Sequence, residues 1–301
     1  MKTKKNRIYG MDDRAIDIIA CILGGLVFVA TLYPLIFVVS ASFSEPSNVL
    51  EGKVILWPIG FTLEGYEKIF DYSLIWIGYR NTILYTFFGT LINLALTLPA
   101  AYALSRRDLI GRNAVTVFFS ITMFFSGGLI PTFLVMKQLH LVNNPMIMVL
   151  LGAVSVWNTV IARTFFQSNI PMELQEAAYI DGASTTKLFF SIVLPLAKPI
   201  IAVLALFCAV GHWNSYFNGL IYLNNTNHYP LQIFLRNILI LDQLESMMGD
   251  PDSVESVMRQ MQMKESMKFG IVVLSSLPVL VMYPFLQKYF VKGMMVGAIK
   301  G

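Results

Sequence analysis

The sequence predicts an all-α membrane protein with six transmembrane helices. Composition is the first reason, since 56% of the 301 residues are hydrophobic and only 13% are charged, whereas about a quarter of the residues in a soluble domain carry charge. The second reason is six stretches long and apolar enough to match the ~20 residues that a helix needs to cross a bilayer. The third is that these stretches lack the period-two alternation of membrane β-strands.

The six predicted spans follow one another along most of the chain. The first could be mistaken for a secretory signal, because lysines precede it and small residues follow it. Its apolar run of about 25 residues is well beyond the ~7 to 15 of a signal core, so we expect a retained helix. The predicted spans cover residues 16–41, 79–104, 115–136, 146–166, 196–217 and 269–291.

Lysine and arginine predict the orientation. If both termini are cytoplasmic, most of the 22 basic residues fall on the inner side, although the outer segments are longer in total. The net charge of +4 then reflects topology, and nothing points to nucleic acid. We therefore expect a cytoplasmic N-terminal segment (1–14), a six-helix domain (15–293) and a cytoplasmic tail (294–301).

Catalytic chemistry is not expected in this chain. Both cysteines fall inside predicted spans, and the three histidines are scattered without metal-ligand spacing. An intramembrane enzyme would need a nucleophile and base, or a metal set, within the spans. Ionisable residues are nearly absent from the span interiors, which disfavours the main alternative, an ion-coupled secondary sugar transporter or channel.

The loop between spans four and five contains start and stop signals for two short helices. Pro171 suits the first turn of one helix, and Gly182 allows the chain to turn left-handed after it. Ser184 can cap the second helix, which Pro195 interrupts.

One face of the first short helix is built from small residues. Helical spacing places Leu174, Ala177, Ala178 and Asp181 on one stripe, with Glu176 beside it. Such a face is flat enough for another protein to approach closely, and its acids could form charge-assisted bonds. The alternative is a solvated connecting loop.

The same residues carry a family resemblance. The loop resembles the EAA signature of permease subunits in bacterial binding-protein-dependent ABC importers. Segments elsewhere in the chain are similar to the carbohydrate branch of these permeases, namely 138–143, 157–158, 213–214, 289–293 and 298–301. The last outer loop, with residues 246–251, is similar to permeases for complex or acidic oligosaccharides. The matching loop residues are Glu176-Ala177-Ala178, Asp181-Gly182-Ala183 and Ile192-Val193-Leu194-Pro195.

This resemblance implies a complete transport assembly around the chain. It implies a bacterial cytoplasmic-membrane protein that pairs with a homologous second permease and a dimer of cytoplasmic ABC ATPases. An extracytoplasmic solute-binding protein would deliver an oligosaccharide. The chain itself would bind no cofactor, because ATP and Mg belong to the ATPase and the only Gly-Lys pair, Gly52-Lys53, is followed by valine rather than Ser or Thr. The loop at about 168–198 would be the cytoplasmic coupling-helix loop, acting through Glu176, Ala177, Ala178, Asp181 and Gly182.

Candidates for the substrate path lie in spans four and five. A sugar site needs rings to stack on and groups that donate and accept hydrogen bonds. Asn158, Trp213, Asn214 and Tyr216 offer both. The competing interpretation is an interfacial aromatic belt.

Three further segments carry open alternatives. The stretch 125–131 should weaken span three, either to line the path or as a packing kink. The loop 241–268 could form an outer helix that meets the binding protein or could cover span six. The tail 294–301 could reach between the ATPase subunits, as in similar permeases.

Overall fold

The structure is a computed structural model that describes residues 11–240, 262, 265 and 267–284. Within these ranges the regular structure is helical, apart from one isolated β-bridge between Ser44 and Phe61. The chain divides into two compact units, Met1–Asp71 with Asp242–Leu274 and Tyr72–Leu241 with Ser275–Gly301. An all-helical fold, as the sequence predicts, is therefore confirmed for the described parts.

The described residues form α-helices that are short and long in turn. They are α1 (Met11–Ser42), α2 (Pro46–Leu50), α3 (Glu64–Asp71), α4 (Ser73–Ser105), α5 (Arg112–Phe124), α6 (Leu129–Gln138), α7 (Ile147–Leu150), α8 (Val156–Asn169), α9 (Met172–Ile180), α10 (Thr185–Leu188), α11 (Leu194–Leu196), α12 (Lys198–Trp213), α13 (Tyr216–Tyr222), α14 (Leu231–Ile240) and α15 (Met267–Pro284). A π-helical turn, Phe189–Val193, joins α10 to α11.

Several of these helices can cross a membrane. In the described residues, Ile16–Ser42 of α1, all of α4 and all of α15 are long and apolar enough. Two bent pairs raise the number to five if each pair is one span: α5 with α6, bent by 113°, and Thr185–Leu196 with α12, bent by 81°. The first bend follows the predicted weak stretch at Phe125–Gly128, where Gly128 has a φ of 81°.

The fourth predicted span takes a different form from the single helix expected. Its residues form the four-residue α7 and then α8, and the chain between them contains Gly152 at a φ of 76°. The 14 residues of α8 reach about 21 Å, short of a ~30 Å hydrocarbon core. The count of six spans stays a prediction.

The first unit contains a long helix followed by a compact turn. Ser40 and Ser44 fix that turn, since Ser40 Oγ donates to the Leu56 carbonyl at 2.6 Å and the Ser44 hydroxyl accepts from the Ile59 amide at 3.1 Å. Tyr66 Oη donates to Ser42 Oγ at 2.8 Å and joins α3 to the end of α1. Most of the spanning part of α1 is exposed, and it becomes buried at its end, at Ser40, Ala41 and Ser42.

The second unit has α4 at its centre, in contact with α8 and α12. A cluster of buried residues fills the space between these helices and extends into the loop that contains α9. Because both the loop and the spanning helices contribute side chains, this cluster fixes the loop against the helix bundle. Its members include Leu98, Ala101, Tyr102, Ala162, Phe166, Ile170, Ala178, Leu188, Phe189, Val193, Ala197, Ile200 and Leu204.

Some predictions fall outside the described residues. These are the N-terminal segment up to residue 10, most of the outer loop 241–268, the end of span six beyond residue 284, and the tail 294–301.

Candidate functional site

The first short helix of the loop, α9, ends before Gly182 as predicted, but Pro171 precedes its first turn instead of lying in it. Pro171 is the N-cap residue, and Glu173 lies in the first turn, where a carboxylate is favoured by the helix dipole. At the other end the amide of Ala183 bonds the Ala178 carbonyl at 2.9 Å and the amide of Gly182 bonds the Tyr179 carbonyl at 3.0 Å. These two bonds form a Schellman motif, and Gly182 takes its left-handed position with a φ of 75°.

Nearby residues also determine the helices in the second half of the loop. Ser184 caps α10 and accepts a hydrogen bond from the Lys187 amide at 3.2 Å. The π-helical turn follows, and Pro195 stands inside the short α11. The helix breaks at Ala197, before α12 begins. The predicted pair of short helices is therefore present, but the prediction that Pro195 interrupts the second one is wrong, because the helix continues through the π-turn to Leu196.

The structure divides the predicted stripe on α9 between two faces. Leu174 and Ala178 pack into the buried cluster, and Ala178 is only 6% exposed. Ala177 and Asp181 are exposed instead. The reason is geometric, because successive residues of an α-helix are about 100° apart and residues four apart share a row. Ala178 thus anchors the helix and does not lie on its outer face.

The outer face of α9 is acidic and apolar together. Glu176, Ala177 and Asp181 lie on it, next to Ile180, which is 86% exposed. Sequence analysis missed Ile180, although its place one row from Ala177 on an amphipathic helix was a usable signal. The surface combines an isoleucine that water disfavours with carboxylates that can pair with a basic partner.

The substrate-path candidates separate into buried and exposed pairs. Trp213 is 4% exposed, and its Nε1 donates to the Ser275 carbonyl at 2.9 Å, which ties α12 to α15 within the second unit. Asn158 is buried, and its Nδ2 donates to Cys208 Sγ at 3.6 Å. Asn214 and Tyr216 are exposed near the end of α12. The role of all four in a sugar path stays a prediction.

A polar cluster that sequence analysis did not assemble lies against the middle of α4. His212 Nε2 lies 3.2 Å from Asn93 Oδ1, and Asn93 Nδ2 donates to the Gly152 carbonyl at 3.4 Å. Gly89 is pressed against the imidazole, since a Cβ there would stand 2.4 Å from His212 Nε2. His212 is therefore a buried histidine with a hydrogen-bond partner, and it fixes the approach of α12 to α4.

The permease-like loop and the helical unit around α4 are matched by a known family. Residues 75–296 match the inner membrane component of binding-protein-dependent transport systems. The chain belongs to this family. The family resemblance carried by the loop residues is thereby confirmed.

Individual relatives match nearly the whole chain. The polygalacturonan/rhamnogalacturonan transport system permease protein YtcP of Bacillus subtilis (strain 168) is 40% identical over 99% of this chain and 100% of its own length. Protein LplC of the same organism is 36% identical over 96% of each chain. A chain in the crystal structure of a bacterial ABC transporter involved in the import of the acidic polysaccharide alginate is 33% identical, with a TM-score of 0.84, and the match covers 95% of this chain and 100% of that one.

The chain is accordingly the membrane-spanning permease subunit of an ABC importer. As such it is not an enzyme, and the ATPase is a separate partner. These matches give no support to an ion-coupled transporter or channel.

Proposed function

We propose that this permease imports acidic oligosaccharides delivered by an extracytoplasmic solute-binding protein. The observation that carries the proposal is the likeness over nearly the full length to two proteins whose described cargo is acidic, YtcP for polygalacturonan and rhamnogalacturonan and the alginate importer. Polygalacturonan and alginate are both polymers of uronic acids, so the shared chemistry is a chain of sugar carboxylates.

The proposal includes a defined assembly. The chain pairs with a homologous second permease in the bacterial cytoplasmic membrane, with six spans in 15–293 and with 1–14 and 294–301 in the cytoplasm. A dimer of ATPase subunits binds ATP and Mg. The loop at about 168–198 faces that dimer, and α9 is its coupling helix. The acidic and apolar outer face of α9 supports this, because Ile180 is left exposed within the second unit.

The substrate path includes Asn158, Trp213, Asn214 and Tyr216 in the proposed assembly. Asn214 and Tyr216 are exposed and can meet a sugar directly. Buried Trp213 and Asn158 act behind them, as supports of the helix that presents Asn214.

Transport by a reconstituted assembly tests the substrate and the energy source together. Vesicles containing both permeases and the ATPase, supplied with the binding protein, should take up oligogalacturonates only when ATP is hydrolysed. Maltooligosaccharides of equal length are the matched neutral control and should not be taken up. Uptake of the neutral series alone would overturn the acidic assignment. Uptake by this chain alone under an ion gradient would overturn the importer.

Neighbouring alanines test the coupling helix. Ala177→Leu adds bulk to the exposed face and should weaken ATPase docking by ~1 to 3 kcal/mol, as overpacking of a close contact does. It should leave the thermal unfolding of the purified permease unchanged. Ala178→Leu, one residue on, adds the same bulk to the buried face and should lower the permease's own stability. Pull-down of the ATPase at matched permease levels decides the matter, and equal recovery with Ala177→Leu and unaltered protein would make the loop a connector.

A further inference from the structure

A guanidinium group joins the end of α4 to α9. Arg106 is the C-cap residue of α4, and its charged carbon lies 6.0 Å from the ring centroid of Tyr102 and 5.5 Å from that of Tyr179. Tyr102 belongs to α4 and Tyr179 to α9, so the cation lies between rings from both helices. Arginine suits such a position because its flat, delocalised cation stacks on aromatic faces.

Hydrogen bonds fix the orientation of the same group. Nε donates to one carboxylate oxygen of Asp108 at 2.9 Å and Nη2 donates to the other. Nη1 is left to donate to Tyr179 Oη at 2.6 Å, and that hydroxyl lies 3.2 Å from Thr185 Oγ1 of α10. The two-pronged bond to Asp108 therefore aims the third donor at the loop.

The α4 end of this connection is itself anchored. Arg163 Nε of α8 donates to the Leu104 carbonyl at 3.1 Å. The ring of Tyr102 packs edge-on against Phe166 at 5.7 Å and tilted against Phe189 at 5.3 Å. A pull on Tyr179 would thus act on a fixed helix end.

Packing alone does not fill the space beside this connection. A cavity of about 660 Å³ lies between the end of α4 and the chain from α10 onward, lined among others by Pro99, Arg106, Thr185 and Phe190. Arg106 and its partners therefore form a polar bridge beside this cavity, next to the buried cluster in which Leu174 and Ala178 attach α9 through apolar contacts.

An ordinary surface cation is the competing explanation. Basic residues near the cytoplasmic ends of spans are common, and exposed ion pairs contribute little. The side chain of Arg106 is only 14% exposed, however, and its donors meet Asp108 in the connection after α4 and Tyr179 on α9. The adjacent Arg107 is exposed, and it serves as the comparison.

We propose that Arg106 is a positioning residue for transport, which holds α9 to α4 so that movement of the ATPase reaches the spanning helices. The proposal rests on the proposed function, since it takes α9 as the helix that meets the ATPase. Arg106 touches neither substrate nor nucleotide in this role. It determines how much of the displacement of α9 is passed to α4.

Two measurements on the full assembly test the bridge. In Arg106→Gln the ATPase should still be recovered by pull-down, but oligogalacturonate uptake per ATP hydrolysed should fall roughly tenfold, as expected when hydrogen bonds to a charged group are lost. Amide hydrogen exchange in α9 of the assembled permease should also become faster. Arg107→Gln removes the same charge from the same turn and should change neither quantity.

Conservative variants separate positioning from charge. Arg106→Lys keeps the charge but cannot bond both Asp108 oxygens and Tyr179 at once, so it should fail to restore uptake per ATP. Tyr179→Phe keeps the ring and removes the hydroxyl, and it should show part of the loss. The double variant Arg106→Gln, Tyr179→Phe should be no worse than Arg106→Gln alone, because both changes break one connection.

The outcomes distinguish the proposed role of Arg106 from the proposed function of α9 as the coupling helix. Rescue by lysine, or equal exchange in α9 for Arg106→Gln and Arg107→Gln, overturns the bridge. If Ala177→Leu abolishes ATPase recovery while Arg106→Gln and Tyr179→Phe keep normal uptake per ATP, α9 is the coupling helix and Arg106 has no part in coupling. If Ala177→Leu has no effect on recovery, the proposed function of α9 fails, and the exchange measurement still decides whether the bridge exists. Should Arg106→Gln not assemble, Tyr179→Phe gives the same test.

Discussion

Two polar clusters connect α4 to its neighbours, and they differ in kind. The cluster at the end of α4 holds the charged pair of Arg106 and Asp108, and half of the Asp108 side chain is exposed. The cluster at the middle of α4 holds His212 and Asn93, both buried. Exposed charges exchange partners with water at little cost, whereas buried amides leave unmet hydrogen bonds when they separate. The end of α4 is thus held through a partly exposed charged pair, and its middle through buried polar groups at the crossing with α12.

The largest expected effect is at the crossing of α4 with α12. Gly89→Ala would place a Cβ 2.4 Å from His212 Nε2, so the buried imidazole or the helices α4 and α12 must shift. The free energy of unfolding should fall by ~1 to 3 kcal/mol, as overpacking typically costs. Thermal unfolding of the purified permease measures this. Gly211→Ala on α12 is the control, because a Cβ there meets nothing within 4 Å. Equal melting temperatures for the two variants would show that α4 and α12 do not approach closely at Gly89.

A somewhat smaller effect is expected from the amide in the same cluster. Asn93→Ala leaves the imidazole of His212 without its 3.2 Å partner. The expected loss is about 1 to 2 kcal/mol, the range of polar bonds between membrane helices. Asn214→Ala is a suitable control for the same deletion at an exposed site. A greater loss of stability from Asn214→Ala than from Asn93→Ala would show that the buried amide does not hold α4 to α12.

The smallest effect on stability is expected at the charged pair at the end of α4, and it depends on pH. The hydrogen bond from Arg106 holds the pKa of Asp108 below its ordinary value. A lowered carboxyl pKa stabilises the folded protein above the unfolded pKa, and this contribution is lost as the pH falls through the folded pKa. The difference in melting temperature between unaltered protein and Asp108→Asn should therefore be small and constant between about pH 5 and about pH 7, and should shrink below about pH 4. A difference that grows on acidification has the wrong sign for this pair.

Local chemistry was predictable from the sequence, and tertiary contacts were not. Pro171, Gly182 and Ser184 act on backbone groups within a few residues, so their types and order sufficed to outline α9 and α10. The bond between Arg106 and Tyr179 joins residues 73 apart in the chain, and no spacing rule covers that separation. The sequence shows both residues, but the contact between them depends on how α8 turns the chain back toward α4.

Tertiary packing also explains why the sequence did not predict which face of α9 is buried or the form of the fourth span. Helical spacing placed Ala177 and Ala178 on one surface, but only the packed core determined that Ala178 points inward. Hydropathy joined α7 and α8 into one span because it averages over residues, while Gly152 interrupts the backbone there at a single point. Trp213 looked like a sugar platform by residue type, and its contact with the Ser275 carbonyl could not be read from composition.

The left-handed backbone at Gly182 restricts the chirality of the residue that can stand there. Its φ is +75°, yet an added Cβ would meet no atom within 4 Å. The position therefore disfavours L-residues because of their chirality and not because of the size of their side chains. An L-residue that adopts left-handed backbone costs about 1 to 2 kcal/mol even where space is free. The mirror-image form of alanine has no such preference against a positive φ. The end of α9 is thus a point where the chirality of the amino acids, more than their size, restricts what the chain can carry.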